Sequence, residues 1–253
     1  MRDPRSIVIT GASSGIGRAL AEIYAGPGIA LALAGRDEER LTAVADACRR
    51  TGATAATAVL DVTDPSAMES WLAGFDRTNP VDLVIANAGI SAGTAKGWER
   101  ADQTRAIFAV NLTGVLNTVL PLLPAMLARR RGQIALMSSL ASFRGFPGAP
   151  AYCASKAAVR VWGEALRCEL KGRGVEVSVI CPGYVATPMT ARNDFPMPLL
   201  MQPEPAARII RRGLQRGRPR IAFPWAVHAA AWLLGALPPA LTDPLLERLP
   251  RKA

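Results

Sequence analysis

The chain is 253 residues long and half hydrophobic, with 30 Lys plus Arg against 20 Asp plus Glu for a formal charge of +10. That length and apolar content suit a single α/β domain with a two-sided sheet core. One histidine (His228) and four cysteines (Cys48, Cys153, Cys168, Cys181) without ligand spacing argue against a metal site, and reduced thiols are expected.

Met1-Arg2-Asp3-Pro4 leads almost at once into a first strand, which leaves no room for a signal peptide and suggests a cytoplasmic protein. The β-branched run Ser6-Ile7-Val8-Ile9-Thr10 reads as a short buried strand within 5–10. It continues into Gly11-Ala12-Ser13-Ser14-Gly15-Ile16-Gly17 and a helical pattern over 15–26. A glycine-rich turn between a first strand and a helix lets backbone N–H groups approach a phosphate at the helix N-terminus. Three residues, then one, separate these glycines, unlike the common dinucleotide fingerprint.

Further strands are predicted at 29–34, 54–60, 81–86, 132–138, 174–180 and 219–223, with helices at 37–51, 65–77, 98–130, 151–172 and 203–217. Asp37 is the expected N-cap of the second helix. The alternation argues for parallel βαβ units and right-handed crossovers. The expected fold is therefore a Rossmann-type, doubly wound, seven-stranded parallel sheet, its ligand crevice at the strand C-terminal ends. No repeat, low-complexity tract or interdomain linker interrupts residues 1–223, and 224–253 reads as an apolar extension.

Tyr152 and Lys156 lie four residues apart on the helix predicted at 151–172, with Ser139 thirteen residues before the tyrosine. Residues at that spacing share a helix face. An ammonium beside a phenol is expected to lower the tyrosine pKa from its reference of about 10, suiting it to acid–base work. Ser139 adds a hydroxyl able to hold a substrate oxygen.

Together these motifs resemble the classical short-chain dehydrogenase/reductase family, from Arg5 to about Phe223. Gly11, Ser13, Ser14, Gly15, Ile16 and Gly17 are similar to its cofactor loop, and Asp61 with Val62 to the acidic segment beside the adenine ring. Asn87-Ala88-Gly89 matches the motif after the fourth strand, and Asn111 the asparagine of the long central helix. Ser139, Tyr152 and Lys156 match the catalytic set, and Pro182, Gly183, Val185 and Thr187 the segment that grips the nicotinamide end.

The resemblance implies reversible hydride transfer between a nicotinamide and a carbonyl carbon. Tyr152 would donate a proton to the developing alkoxide while Ser139 hydrogen-bonds the same oxygen. Lys156 would lower the tyrosine pKa and hold the nicotinamide ribose. Asn111 would interrupt its helix slightly and position a water for proton relay, and Asn87 would tie neighbouring strands together. A homodimer or homotetramer, paired through the helices at 98–130 and 151–172, is also implied.

Cofactor choice turns on Leu33-Ala34-Gly35-Arg36-Asp37, where Gly35 replaces the acid that similar proteins use for ribose hydroxyls. Arg36 pairs readily with a phosphate. NADP(H) is expected, with NAD(H) the alternative if Arg36 serves only Glu38 or Glu39 on a solvated face.

The segment 188–202 corresponds to the family's substrate lid; its methionines and leucines either line an apolar pocket or pack the lid on the body. Gly145, Phe146 and Pro147 are expected to form another pocket wall.

Residues 221–242 carry no formal charge and follow a basic helix bearing Arg208, Arg211, Arg212 and Arg216. The apolar helix before Pro238 spans about thirteen residues, or roughly 20 Å, too short to cross a bilayer core of ~30 Å. A peripheral anchor on the inner face of a membrane, a subunit interface and a substrate-pocket cover all remain open. Nucleic-acid binding is not expected, because no recognition module appears. The alternatives to an enzyme are a cofactor-binding sensor and a membrane-associated scaffold with little turnover.

Overall fold

In β1 (Ser6–Thr10) successive side chains point to opposite sides, so Ile7 and Ile9 enter one core while Val8 enters another. The same alternation separates Leu31 and Leu33 from Ala32 in β2 (Ala30–Gly35), and Leu83 and Ile85 from Val84 in β4 (Leu83–Ala86). Both faces of the sheet are therefore covered by helices, as a fully parallel sheet requires. Each large aliphatic buried this way contributes about 1.5–3 kcal/mol.

The computed structural model describes residues 3–94 and 97–247. β3 (Thr54–Val59), β5 (Gly132–Met137), β6 (Val175–Pro182) and β7 (Arg220–Phe223) complete the sheet. The strand order is β3-β2-β1-β4-β5-β6-β7, and every pairing is parallel. The seven-stranded doubly wound sheet expected from the sequence is what forms. Its order reverses between β1 and β4, which opens a crevice at their C-terminal ends.

Helices α1 (Gly15–Tyr24) and α2 (Glu38–Arg50) cover one face of the sheet, and α3 (Pro65–Thr78) the other. Asp37 caps α2 through a bond from the Arg40 amide at 2.9 Å, and Asp64 caps α3.

The single helix expected at 98–130 is instead segmented. It runs as α4 (Ala101–Phe108), a π-helical turn (Ala109–Thr113) and α5 (Gly114–Val119), then breaks at Leu120–Leu122 before α6 (Leu123–Ala128). Helix α7 (Pro150–Glu169) packs beside α4, and α8 (Pro203–Gln215) packs on α1.

The C-terminal extension holds α9 (Trp225–Ala236) and α10 (Pro239–Leu246). The second of these was not foreseen, because Pro238, Pro239 and Pro244 read as helix breakers. Pro239 stands in the first turn, where a missing N–H costs nothing. The loop after β5 is fastened to this extension by Arg144, which bonds Thr242 and Asp243, and by Phe143 edge-on to His228 at 5.1 Å.

Candidate active site

The crevice at the reversal point is a cleft of about 770 Å³ bounded by the turns after β1, β2, β3, β4, β5 and β6. All cofactor-loop residues expected from the sequence line it except Gly17, which lies just behind. A Cβ on Gly17 would land on the Gly11 carbonyl oxygen, so the helix can pack this close to the turn only with glycine there. Gly11 itself takes φ +64°, with the Ala88 backbone against its open side. Asn87, after β4, donates from Nδ2 to the Thr10 and Gly11 carbonyls at 2.9 and 3.1 Å, which ties the ends of neighbouring strands β4 and β1 together.

Ser14 at the N-cap of α1 makes no side-chain capping bond, so the first amides of that helix face the cleft uncapped by it. Uncapped amides at the positive end of a helix dipole suit an anion such as a diphosphate. Thr187 lies against Gly15, which closes the segment after β6 over this turn. The residues present therefore fit a dinucleotide.

At the end of β2, Gly35 sits close to Ser13: a Cβ there would be 3.3 Å from the Ser13 Oγ. Arg36 lines the cleft and pairs loosely with Asp61 at 3.7 Å, not with Glu38 or Glu39. Asp37 is engaged by Arg40, with 2.7 Å between its Oδ2 and the arginine Nε. Burial raises the Asp61 pKa, but hydrogen bonds from Thr63 and the charge of Arg36 outweigh it and hold the carboxyl below its usual range. Asn117 fixes Val62 by donating to its carbonyl at 2.9 Å.

Four residues from three elements converge at the inner end. Ser139 follows β5 and caps a short 3-10 turn, accepting from the Ala141 amide at 3.1 Å. Tyr152 and Lys156 occupy one face of α7, the ammonium 5.9 Å from the phenol ring centroid. Lys156 is nearly fully buried and donates to the Met137 carbonyl at 2.9 Å.

Asn111 lies in the π turn, where the interruption expected of it is found; such turns recur at functional sites. It is fully buried, accepts from the Ile90 amide at 2.8 Å, and donates to the Ile90 carbonyl and to the Ser155 Oγ. Gly89 lies between Asn111 and Lys156. A Cβ there would be 3.2 Å from both the Asn111 Oδ1 and the Lys156 Nζ.

The electrostatics overturn one expectation. Lys156 was expected to pull the Tyr152 pKa down, yet burial pushes it up to about 12, and hydrogen bonding toward Ser139 only partly offsets this. Burial also takes Lys156 down to about 8. Proximity was read correctly from the spacing; desolvation, which disfavours both charged forms, was not.

One wall differs from expectation, and the lid divides between its two readings. Gly145, Phe146 and Pro147 do not line the cleft, whose wall there runs through Ser138, Ser139 and Tyr152. In the lid, Met189 faces the cleft, Met201 packs on the core, and Leu199 and Leu200 are exposed. Its end rejoins the body through a bridge between Val185 and Met201.

Sequence reasoning missed Ile90, Ser91 and Arg192 as lining residues, and it missed Glu99. The Glu99 carboxylate accepts from the Ala151 amide at 2.9 Å and so caps the helix that carries Tyr152 and Lys156.

The chain belongs to the short chain dehydrogenase family, whose model matches residues 5–195. It is 40% identical over 249 residues to an uncharacterized oxidoreductase of Myxococcus xanthus, covering 97% of each chain. Among solved structures it is similar to a short chain dehydrogenase/reductase from Burkholderia phymatum in complex with NAD. That match has a TM-score of 0.84 and 27% identity, covering 98% of this chain and 97% of that one. It is also similar to a short-chain dehydrogenase from Sphingobium yanoikuyae in complex with NADPH, with a TM-score of 0.81, 26% identity and coverage of 97% and 96%. The protein is accordingly an oxidoreductase acting on a carbonyl or alcohol with a nicotinamide cofactor.

Proposed function

We propose that this protein is an NADP(H)-dependent carbonyl reductase, running in reverse as a secondary alcohol dehydrogenase, for a hydrophobic substrate. The observation that carries the cofactor preference is the end of β2. Gly35 offers no carboxylate, Ser13 presents a hydroxyl against it, and Arg36 stands in the cleft with only a loose partner. A guanidinium in that position attracts a ribose phosphate, whereas an acid would repel it. Asp37 does not blunt this charge, because it is engaged by Arg40.

When bound, the cofactor supplies the hydride chemistry, and the chain's own side chains handle orientation and the proton. Tyr152 keeps its proton across the physiological range, so it serves as the acid at the carbonyl oxygen of the substrate. Ser139 donates its hydroxyl hydrogen to the same oxygen. Lys156, charged below about pH 8, supplies positive charge beside the phenol as it loses its proton. Asn111 holds the Ile90 backbone, and with Lys156 it lines the route by which a proton returns.

Met189 and Ile90 give the substrate end an apolar wall, which supports a hydrophobic ketone. Pairing of two copies through α4–α6 and α7 belongs to the same reading, supported by exposed Leu120, at the break before α6, and Val161 on α7.

The test is Arg36→Asp, assayed with NADPH and NADH against a panel of ketones and aldehydes that includes long-chain compounds. The ratio of kcat/KM should move toward NADH by about tenfold or more, since a charge-assisted bond to phosphate is worth ~1.5–3 kcal/mol. An unchanged ratio would show that another group reads the phosphate.

A further inference from the structure

Helix α9 has no charged residue, and the half of its surface turned outward has no polar one. Trp225, Ala226, Ala229, Trp232, Leu233 and Ala236 fall within one continuous arc, and all are exposed. An ordinary surface helix turns its polar side outward. Here the partly polar side, with His228, faces the body, and Ala231 is packed against Leu140, Val179 and Cys181. The apolar surface continues onto α10 through Leu237, Leu241 and Leu245. Exposure reaches 80% at Trp225, 55% at Trp232 and 68% at Leu241. Three adjoining turns with such side chains uncovered form a patch of the kind that marks an interaction site.

Charge decides between possible covers. Within α10 the one acid is Asp243, and Arg144 neutralises it. On the opposite side of the edge strand β7, helix α8 exposes Arg208, Arg212 and Arg216. The sequence after α10 adds Glu247, Arg248, Arg251 and Lys252, a net basic segment, and the whole chain carries +10. A second copy would bring a chain of like charge, whereas an anionic lipid surface would attract a chain of +10 and cover the apolar patch. Twelve residues of α9 measure about 18 Å, so the helix lies in the interface and does not cross it. Tryptophans favour that depth.

We propose that α9 and α10 form a docking surface for an anionic bilayer, with the indoles of Trp225 and Trp232 among the headgroups. Docking there places the cleft near the lipid. Pro224, just before α9, lies against Gly183 of the cleft wall, where a Cβ would come 3.0 Å from its ring. The proposal is independent of turnover and stands or falls on binding alone.

The test uses the full chain with vesicles of phosphatidylcholine, with and without phosphatidylglycerol. The protein should sediment with the anionic vesicles, release as salt is raised, and have its tryptophan fluorescence quenched by brominated acyl chains. The variant Trp225→Ser/Trp232→Ser/Leu241→Ser should bind about tenfold more weakly or worse, equivalent to ~1.4 kcal/mol, and lose most of the quenching. Dinucleotide binding by that variant confirms that it folds. Failure of the wild-type chain to sediment, or equal binding by the variant, overturns the proposal. So does a self-association that the same substitutions abolish in the absence of vesicle binding, which would assign the face to a second copy.

Discussion

Lys156 stands 5.9 Å from the centre of the Tyr152 ring and gives its hydrogen bond to the Met137 carbonyl, not to the phenol. The two side chains are neighbours without being bonded, and burial acts on each in turn. It holds the tyrosine protonated, up to about 12, and makes the lysine the easier of the two to deprotonate, at about 8. The pair thus favours a proton-donating phenol beside a cation that titrates near the physiological range.

Carbonyl reduction needs the Tyr152 proton and the Lys156 charge together. Below about pH 8 both are present; as pH rises through that value the lysine becomes neutral first. The rate of reduction should therefore be level below about pH 8 and fall above it. A kcat profile with saturating cofactor measures this. Lys156→Met should lower kcat and remove that inflection, and a profile unchanged in shape would take Lys156 out of the titration.

Gly89 is the point where a single methyl should separate binding from turnover. Its Cβ would press on both the Asn111 Oδ1 and the Lys156 Nζ at 3.2 Å, displacing each by a few tenths of an ångström. Gly89→Ala should lower kcat about tenfold, because misplacement of this size at a reacting centre is costly. Fluorescence titration should show dinucleotide affinity changed much less.

Glu99 acts on the same site from a distance by capping α7 at the Ala151 amide. Glu99→Ala removes that acceptor and should cost about 1–2 kcal/mol of stability. A thermal melt should register a decrease of roughly 2–8 °C. Unaltered melting would show that solvent replaces the carboxylate without cost.

What the sequence revealed was local. The glycine turn, the β-branched strands and the four-residue spacing of Tyr152 and Lys156 are written within a few residues of one another, and each appears where expected. The interruption at Asn111 was anticipated by resemblance; the second break, at Leu120–Leu122, falls on Pro121 with Pro124 just after it, two residues without an amide hydrogen whose helix-breaking signal the expectation of one helix over 98–130 passed over. Glu99 meets Ala151 across 52 positions, and Arg144 meets Asp243 across 99; such contacts exist only once the chain has folded. The direction of the tyrosine shift was misread for the same reason, since spacing fixes distance along a helix but says nothing of how much water the fold removes. Helix α10 escaped notice because Pro238 and Pro239 are read as breakers until their places at its start are known, and Pro244 lies inside it.

The most direct measurement is single-turnover reduction by Tyr152→Phe, which deletes one oxygen and leaves the ring in place. We expect NADPH binding within about twofold of the wild type and a hydride-transfer rate lower by about 10²–10⁴, the usual range for a lost general acid. A variant that binds NADPH and reduces its ketone at the wild-type rate would contradict the assignment of Tyr152 as the proton donor.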